Sequence, residues 1–93
     1  MALYLISYDI PAKNENDYQL LWDLLSKLGG TRILYSQWVI LSDYQSASDL
    51  CEQIKPLLHD GDGLLVNAIV TGTCNWNNVR ISDDDFTALL LND

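Results

Sequence analysis

The chain has few basic side chains. Its 93 residues include 13 acidic and 5 basic ones, and the formal net charge is −8. Non-specific binding of nucleic acid draws most of its strength from lysine and arginine side chains that neutralise phosphates. The five basic residues do not cluster: Lys13, Lys27, Arg32, Lys55 and Arg80. Extended binding to a nucleic-acid duplex is therefore disfavoured, while a small nucleic-acid substrate stays open.

Histidine and cysteine are also scarce. His59 is the only histidine, so no Ser-His-Asp triad or histidine-based zinc site can be assembled convincingly. Cys51 and Cys74 lack the C-x-x-C spacing of a metal knuckle and are predicted to be reduced thiols. No apolar run approaches the roughly 18 residues of a membrane span. No basic segment precedes the first apolar run, so the sequence does not indicate a signal peptide. We therefore expect a cytoplasmic protein that does not enter membranes.

A nearly unbroken apolar run, Leu3–Ile10, opens the chain. Such a run predicts a strand that is covered on both faces. Asp9 lies at its C-terminal end, where open sheets often place reactive groups, and Pro11 follows. Two roles for Asp9 stay open at this point: a cap for the following turn, or a functional carboxylate.

The remaining patterns complete a β-α-β-β-α-β order. Apolar residues at helical spacing predict a first helix from about Asp17, with Asn16 or Asp17 as its N-cap, to Leu28. Ser46 and Asp49 form a capping box that opens a second helix, and Pro56 predicts a kink near its end. The strands are predicted at about residues 2–9, 31–35, 37–42 and 64–70.

This order predicts an α+β fold, the ferredoxin-like βαββαβ sandwich, with strand order 4-1-3-2 and both helices on one face. Residues 1–72 are predicted to form this domain, and residues 73–93 a C-terminal extension with a short helix after Ser82. The second apolar face of the sheet then has no covering helix within the domain. We expect a second copy to cover it, which predicts a homodimer.

With these motifs in place, the chain resembles the SinR-like proteins, which are related to the CRISPR-associated Cas-two endonucleases and to virulence-associated protein D. The resemblance covers about residues 2–76. It is carried by Tyr4–Asp9, Ser36–Ile40, Lys55–Leu58 and Val70–Gly72. Two features differ from the family. The basic residues are sparse, and the C-terminal extension does not have the pattern of the family's usual fifth strand, which pairs with the partner.

The resemblance implies a role for Asp9. In Cas-two proteins the aspartate that ends strand one faces its twin across the dimer axis and is implicated in holding a divalent metal for phosphodiester cleavage. Asp9 is then the expected catalytic and metal-binding residue, with Mg²⁺ or Mn²⁺ as cofactor. Ser7, Tyr8 and Ser36 are candidate contacts to a phosphate or a metal-bound water. The alternative for these hydroxyls is bonding to backbone or solvent.

Two functions follow from the sequence. The first is a Cas-two-like homodimer with metal-dependent nuclease activity, weak or lost, on RNA or single-stranded nucleic acid. The second is a non-enzymatic homodimeric adaptor, or a toxin–antitoxin-type component, whose acidic surface binds a basic protein. Asp9 favours the first function, and the lack of a basic patch favours the second.

Overall fold

Four strands and three helices make up the described part of the chain. The computed structural model describes residues 1–11 and 15–92, with the backbone alone at residues 15–17. The elements follow in the order β1 (Ala2–Asp9), α1 (Glu15–Lys27), β2 (Thr31–Leu34), β3 (Gln37–Ser42), α2 (Ala47–Ile54), β4 (Gly63–Ala68) and α3 (Asp83–Leu91). The predicted fourth strand ends two residues early, and α1 begins before Asp17. Because α1 begins at Glu15, the predicted N-cap candidates Asn16 and Asp17 lie inside the helix, and that prediction was wrong.

The strands form one antiparallel sheet in the order β2-β3-β1-β4. This is the predicted order, and the ferredoxin-like α+β fold is confirmed. Strand β1 is central. Its last residues pair with β3 at Ser7↔Gln37 and with β4 at Asp9↔Gly63.

Local chemistry explains both ends of α2. The Ser46 hydroxyl accepts a hydrogen bond from the Asp49 backbone N–H at 3.1 Å, and the Asp49 carboxylate accepts one from the Ser46 N–H at 3.0 Å. These bonds satisfy two of the backbone donors that every helix start leaves open. Pro56 lies in a single 3-10 turn, Lys55–Leu57, which follows the helix. The predicted capping box and the separate last turn are confirmed.

Helices α1 and α2 cover one face of the sheet, as predicted. Alternate residues of a strand point to the same face, so the even-numbered residues of β1 face these helices. They form a core with side chains from α1, β3 and α2: Ile6, Tyr8, Ile10, Leu21, Leu25, Trp38, Ile40, Leu50 and Ile54. We call this side of the sheet the helix side.

The opposite side, the second face, is covered in part by the C-terminal segment (residues 73–92). Phe86 and Leu90 of α3 pack against Leu3, Ile33 and Val39 and form a second buried core. The backbone N–H of residue 80 also donates to the Ile33 carbonyl at 2.8 Å. The expectation that this face lacks a covering element was therefore wrong. The predicted homodimer has to use the part that the segment leaves exposed.

Among the described residues, no helix combines the length and the apolar character that crossing a membrane requires.

Candidate functional site

Asp9 lies on the second face, at the C-terminal end of the central strand. Leu3 and Leu5 belong to the core on this face, so the strand alternation places Ser7 and Asp9 on the same side. Asp9 is exposed and borders a shallow depression of about 290 Å³, together with Ser7, Gly63 and Leu65. Within residues 1–11 and 15–92 its carboxylate is held by no hydrogen bond or ion pair. No residue of these ranges therefore occupies either oxygen.

Ser7 stands beside Asp9 on the same face. Its hydroxyl oxygen accepts a hydrogen bond from Gln37 Nε2 at 3.0 Å. The two residues are direct partners in the pairing of β1 with β3, and this register brings their side chains together. Gln37 was missed in the sequence, because only the strand register links it to Ser7. The bond orients the Ser7 hydroxyl, which can still donate its own proton.

The structure does not bring the Tyr8 hydroxyl to this site. Tyr8 borders the depression, but its side chain points to the helix side and is 5% exposed. Its hydroxyl accepts hydrogen bonds from Trp22 Nε1 at 2.8 Å and Trp38 Nε1 at 3.3 Å, and it donates to the Tyr35 carbonyl at 3.3 Å. These bonds give Tyr8 a role in the core instead of the substrate contact that we predicted.

Ser36 lies in the turn between β2 and β3. Its carbonyl accepts a hydrogen bond from the Tyr8 backbone N–H at 3.2 Å. Ser36 is half-buried and is not among the described residues that border the depression. Of the predicted contacts, Ser7 is therefore the one that the structure places beside Asp9.

Tyr18 packs against the helix-side core near the end of β1. The Tyr18 hydroxyl donates to the Ile10 carbonyl at 3.0 Å, just beyond the end of β1. Burial raises the pKa of Tyr18, and electrostatic interactions with Tyr35, Tyr8, Asp9 and Asp62 raise it further.

Arg32 does not bring a positive charge to the face that carries Asp9. Its guanidinium lies on the helix side, 4.5 Å from the centre of the Trp22 ring and 4.9 Å from that of Tyr35. Its Nη2 donates to the Tyr35 carbonyl at 2.7 Å. These contacts hold the arginine in the structure and keep it from the face that carries Asp9.

Asp9 supplies the one carboxylate among the described residues that border the depression. No group of three or more histidine, cysteine, aspartate or glutamate side chains within the described residues is placed to hold a metal ion. Mg²⁺ is commonly bound by one or two carboxylates and keeps several waters. An exposed carboxylate with a hydroxyl beside it offers the oxygen ligands that Mg²⁺ or Mn²⁺ binds, and two copies of the chain would offer two such carboxylates.

Tyr8→Phe tests the core role of Tyr8. We expect it to lower the free energy of unfolding by about 1–2 kcal/mol, because two indole N–H groups lose their acceptor. Urea unfolding followed by circular dichroism measures this change. Tyr44→Phe is the matched control, since Tyr44 is 94% exposed and should change by less than about 0.5 kcal/mol. Equal effects of the two substitutions would contradict the assignment.

The comparisons with known proteins bear on the fold. No family model matches the sequence. The chain is similar to the crystal structure of a hypothetical protein, TT1823 from Thermus thermophilus, with 25% identity, a TM-score of 0.67, and coverage of 86% of this chain and 95% of that one. This similarity supports the fold, and the neighbour's description names no activity. The function has to be argued from the site.

Proposed function

We propose that the chain is a Cas-two-like cytoplasmic homodimer in which Asp9 from both copies holds Mg²⁺ or Mn²⁺ and which cleaves single-stranded RNA slowly. The observation that carries the proposal is the position of Asp9. It ends the central strand, is exposed on the second face, and lies beside the oriented hydroxyl of Ser7.

The exposed part of the second face favours contact between two copies at the Asp9 end. The C-terminal segment covers the Leu3 end of this face, while Leu65, which pairs with Ser7, remains 61% exposed. Burying such apolar surface favours association. A two-fold axis near Asp9 would bring two carboxylates together, and a divalent cation between them would relieve their repulsion.

Each residue of the site would have a separate role in cleavage. A bound divalent ion supplies charge stabilisation at a phosphate oxygen and a more acidic water. Asp9 of each copy holds that ion. Ser7, oriented by Gln37, donates its hydroxyl proton to a phosphate oxygen and positions the backbone of the substrate. Slow turnover is expected because the chain, with 5 basic residues, has few cations to hold a polyanion.

Cleavage of labelled single-stranded RNA in Mg²⁺ or Mn²⁺ tests the proposal. We expect slow cleavage by the wild type, none in EDTA, and a loss of at least about 100-fold in Asp9→Asn, which removes the charge that holds the ion. Asp84→Asn is the matched control. It removes an equal charge from an exposed residue at the start of α3 and should leave the rate unchanged.

Three outcomes would contradict the proposal. The first is cleavage that survives in Asp9→Asn, which would remove Asp9 from the mechanism. The second is no cleavage by the wild type under any of these conditions. The third is a single 10.5 kDa species in light scattering at micromolar concentration, which would leave the paired site without its second carboxylate.

The second candidate is the acidic adaptor, or toxin–antitoxin-type component, that binds a basic protein. The observation that favours it is the net charge of −8, to which α3 contributes the exposed carboxylates of Asp83, Asp84 and Asp85 in its first turn. Binding of a basic protein by a dimer that cleaves no RNA, with an affinity that falls as salt rises, would favour the adaptor.

A further inference from the structure

A cavity of about 500 Å³ lies between the second face of the sheet and the C-terminal segment. Leu5 and Ile33 border it from the sheet, and Phe86 borders it from α3. Its volume is within the range of small-molecule sites, and such sites combine an apolar lining with a few polar groups. The cavity does not include Asp9 or its depression.

A rigid aromatic ring forms one wall of this cavity. Trp76 stacks on Phe86 with ring centres 4.6 Å apart and ring planes inclined by 25°. Its Nε1 donates to Asp83 Oδ1 at 3.0 Å, so the indole is held at both its face and its edge. The ring is half-buried and borders the cavity. A flat ligand could pack against it without first ordering a mobile side chain.

Amide side chains supply the polar groups. Gln37, Asn67 and Asn77 border the cavity. Gln37 is fixed through its Nε2 by the bond to Ser7, which leaves its oxygen as an acceptor. Asn67 pairs with Leu5 across the strands and therefore shares its face of the sheet. An amide both donates and accepts, so this group suits a ligand with both kinds of atoms along one edge.

Charge disfavours acidic ligands. No aspartate, glutamate, lysine, arginine or histidine is among the described residues that border the cavity. A phosphate or carboxylate bound here would have no cation beside it among these residues, and the net charge of −8 adds long-range repulsion.

We propose that this cavity binds an uncharged, flat heterocycle of nucleoside size, with donors and acceptors along its edge. The ring packs against Trp76, and the amides of Asn67 and Asn77 bond its edge. This inference does not rest on the proposed nuclease activity, because Asp9 does not border the cavity from which it is argued.

Titration of the ¹⁵N-labelled protein with adenosine tests the inference. We expect saturable shifts of the side-chain amide signals of Asn67 and Asn77 and of the Trp76 indole N–H. AMP, which adds a phosphate, should bind at least about tenfold more weakly, and ribose alone should give no saturable shift. Because RNA cleavage is not measured, failure here is distinct from failure of the proposed function.

Variants locate the site. Asn67→Ala and Asn77→Ala should each weaken adenosine binding about fivefold, the effect of one lost hydrogen bond. Gln53→Ala is the control, because it removes an exposed amide from α2 on the other side of the sheet. Backbone spectra that match the wild type show that each variant is folded. Absence of saturable shifts at millimolar adenosine, equal affinity for AMP, or wild-type affinity in both asparagine variants would overturn the inference.

Discussion

Phe86→Ala is expected to lower the free energy of unfolding by about 3–5 kcal/mol, the usual cost of removing a buried aromatic ring. Phe86 is 2% exposed and packs in the second core with Leu3 and Val39. It also supports the ring of Trp76 by stacking. Truncation would leave a cavity at the contact that joins α3 to the sheet.

Urea unfolding monitored by circular dichroism and by tryptophan fluorescence measures this loss. Leu91→Ala is the matched control in the same helix, because Leu91 is 77% exposed and should cost less than about 0.5 kcal/mol. If Phe86→Ala costs no more than Leu91→Ala, α3 does not stabilise the sheet in solution. The cover of the second face would then have to be reconsidered.

Gly30→Ala is expected to cost about 2–3 kcal/mol through overpacking. Gly30 lies between α1 and β2, where the chain passes close to its own core. A Cβ at this position would stand 2.8 Å from the Leu25 carbonyl oxygen and 3.2 Å from side-chain atoms of Trp38 and Ile40. The carbonyl belongs to the backbone of α1 and cannot move aside alone.

Gly63→Ala provides the control for Gly30→Ala. Gly63 begins β4, and a Cβ there would meet the Asp9 Cβ at 3.6 Å, an ordinary van der Waals contact. We expect a change within about 0.5 kcal/mol in the same urea experiment, since alanine also restricts the unfolded chain. Similar effects of the two substitutions would show that the close approach at Gly30 is not the cause.

The sequence predicts the sheet and its first two helices well, because their signals are local. The apolar run Leu3–Ile10 predicts a central strand, and the structure places it between β3 and β4. Ser46 and Asp49 predict the start of α2 from side chains three residues apart. Pro56 predicts the break after α2, since proline cannot donate the helical hydrogen bond.

The packing of the C-terminal segment could not be predicted in the same way. The spacing of Phe86 and Leu90 gives α3 an apolar side, but spacing does not say which surface receives it. Leu3, the partner on the sheet, belongs to the opposite end of the chain. A contact of this kind depends on the whole fold. For this reason we predicted that a second copy of the protein covers the second face, where the structure places α3.

The candidate site was predicted in part. Asp9 and Ser7 are two residues apart on a strand, so their common face follows from alternation. The same rule separates Tyr8 from Asp9, because neighbours on a strand point to opposite faces. Applied residue by residue, it would have assigned Tyr8 to the core. Assigning Gln37 to the site requires the register of β1 against β3, and the sequence does not determine that register.

The two cores of the protein are completed at different moments of its synthesis. Every fully buried residue of the helix-side core precedes Lys55, whereas the core on the second face waits for Phe86 and Leu90. At a translation rate of about 5–20 residues per second, this delay lasts on the order of a few seconds. Strand β4 is made early in this interval, and Leu3 and Val39 then lack their cover until α3 follows. Nascent chains on one messenger RNA are close together in this interval, so α3 has to reach the sheet before a neighbouring chain does.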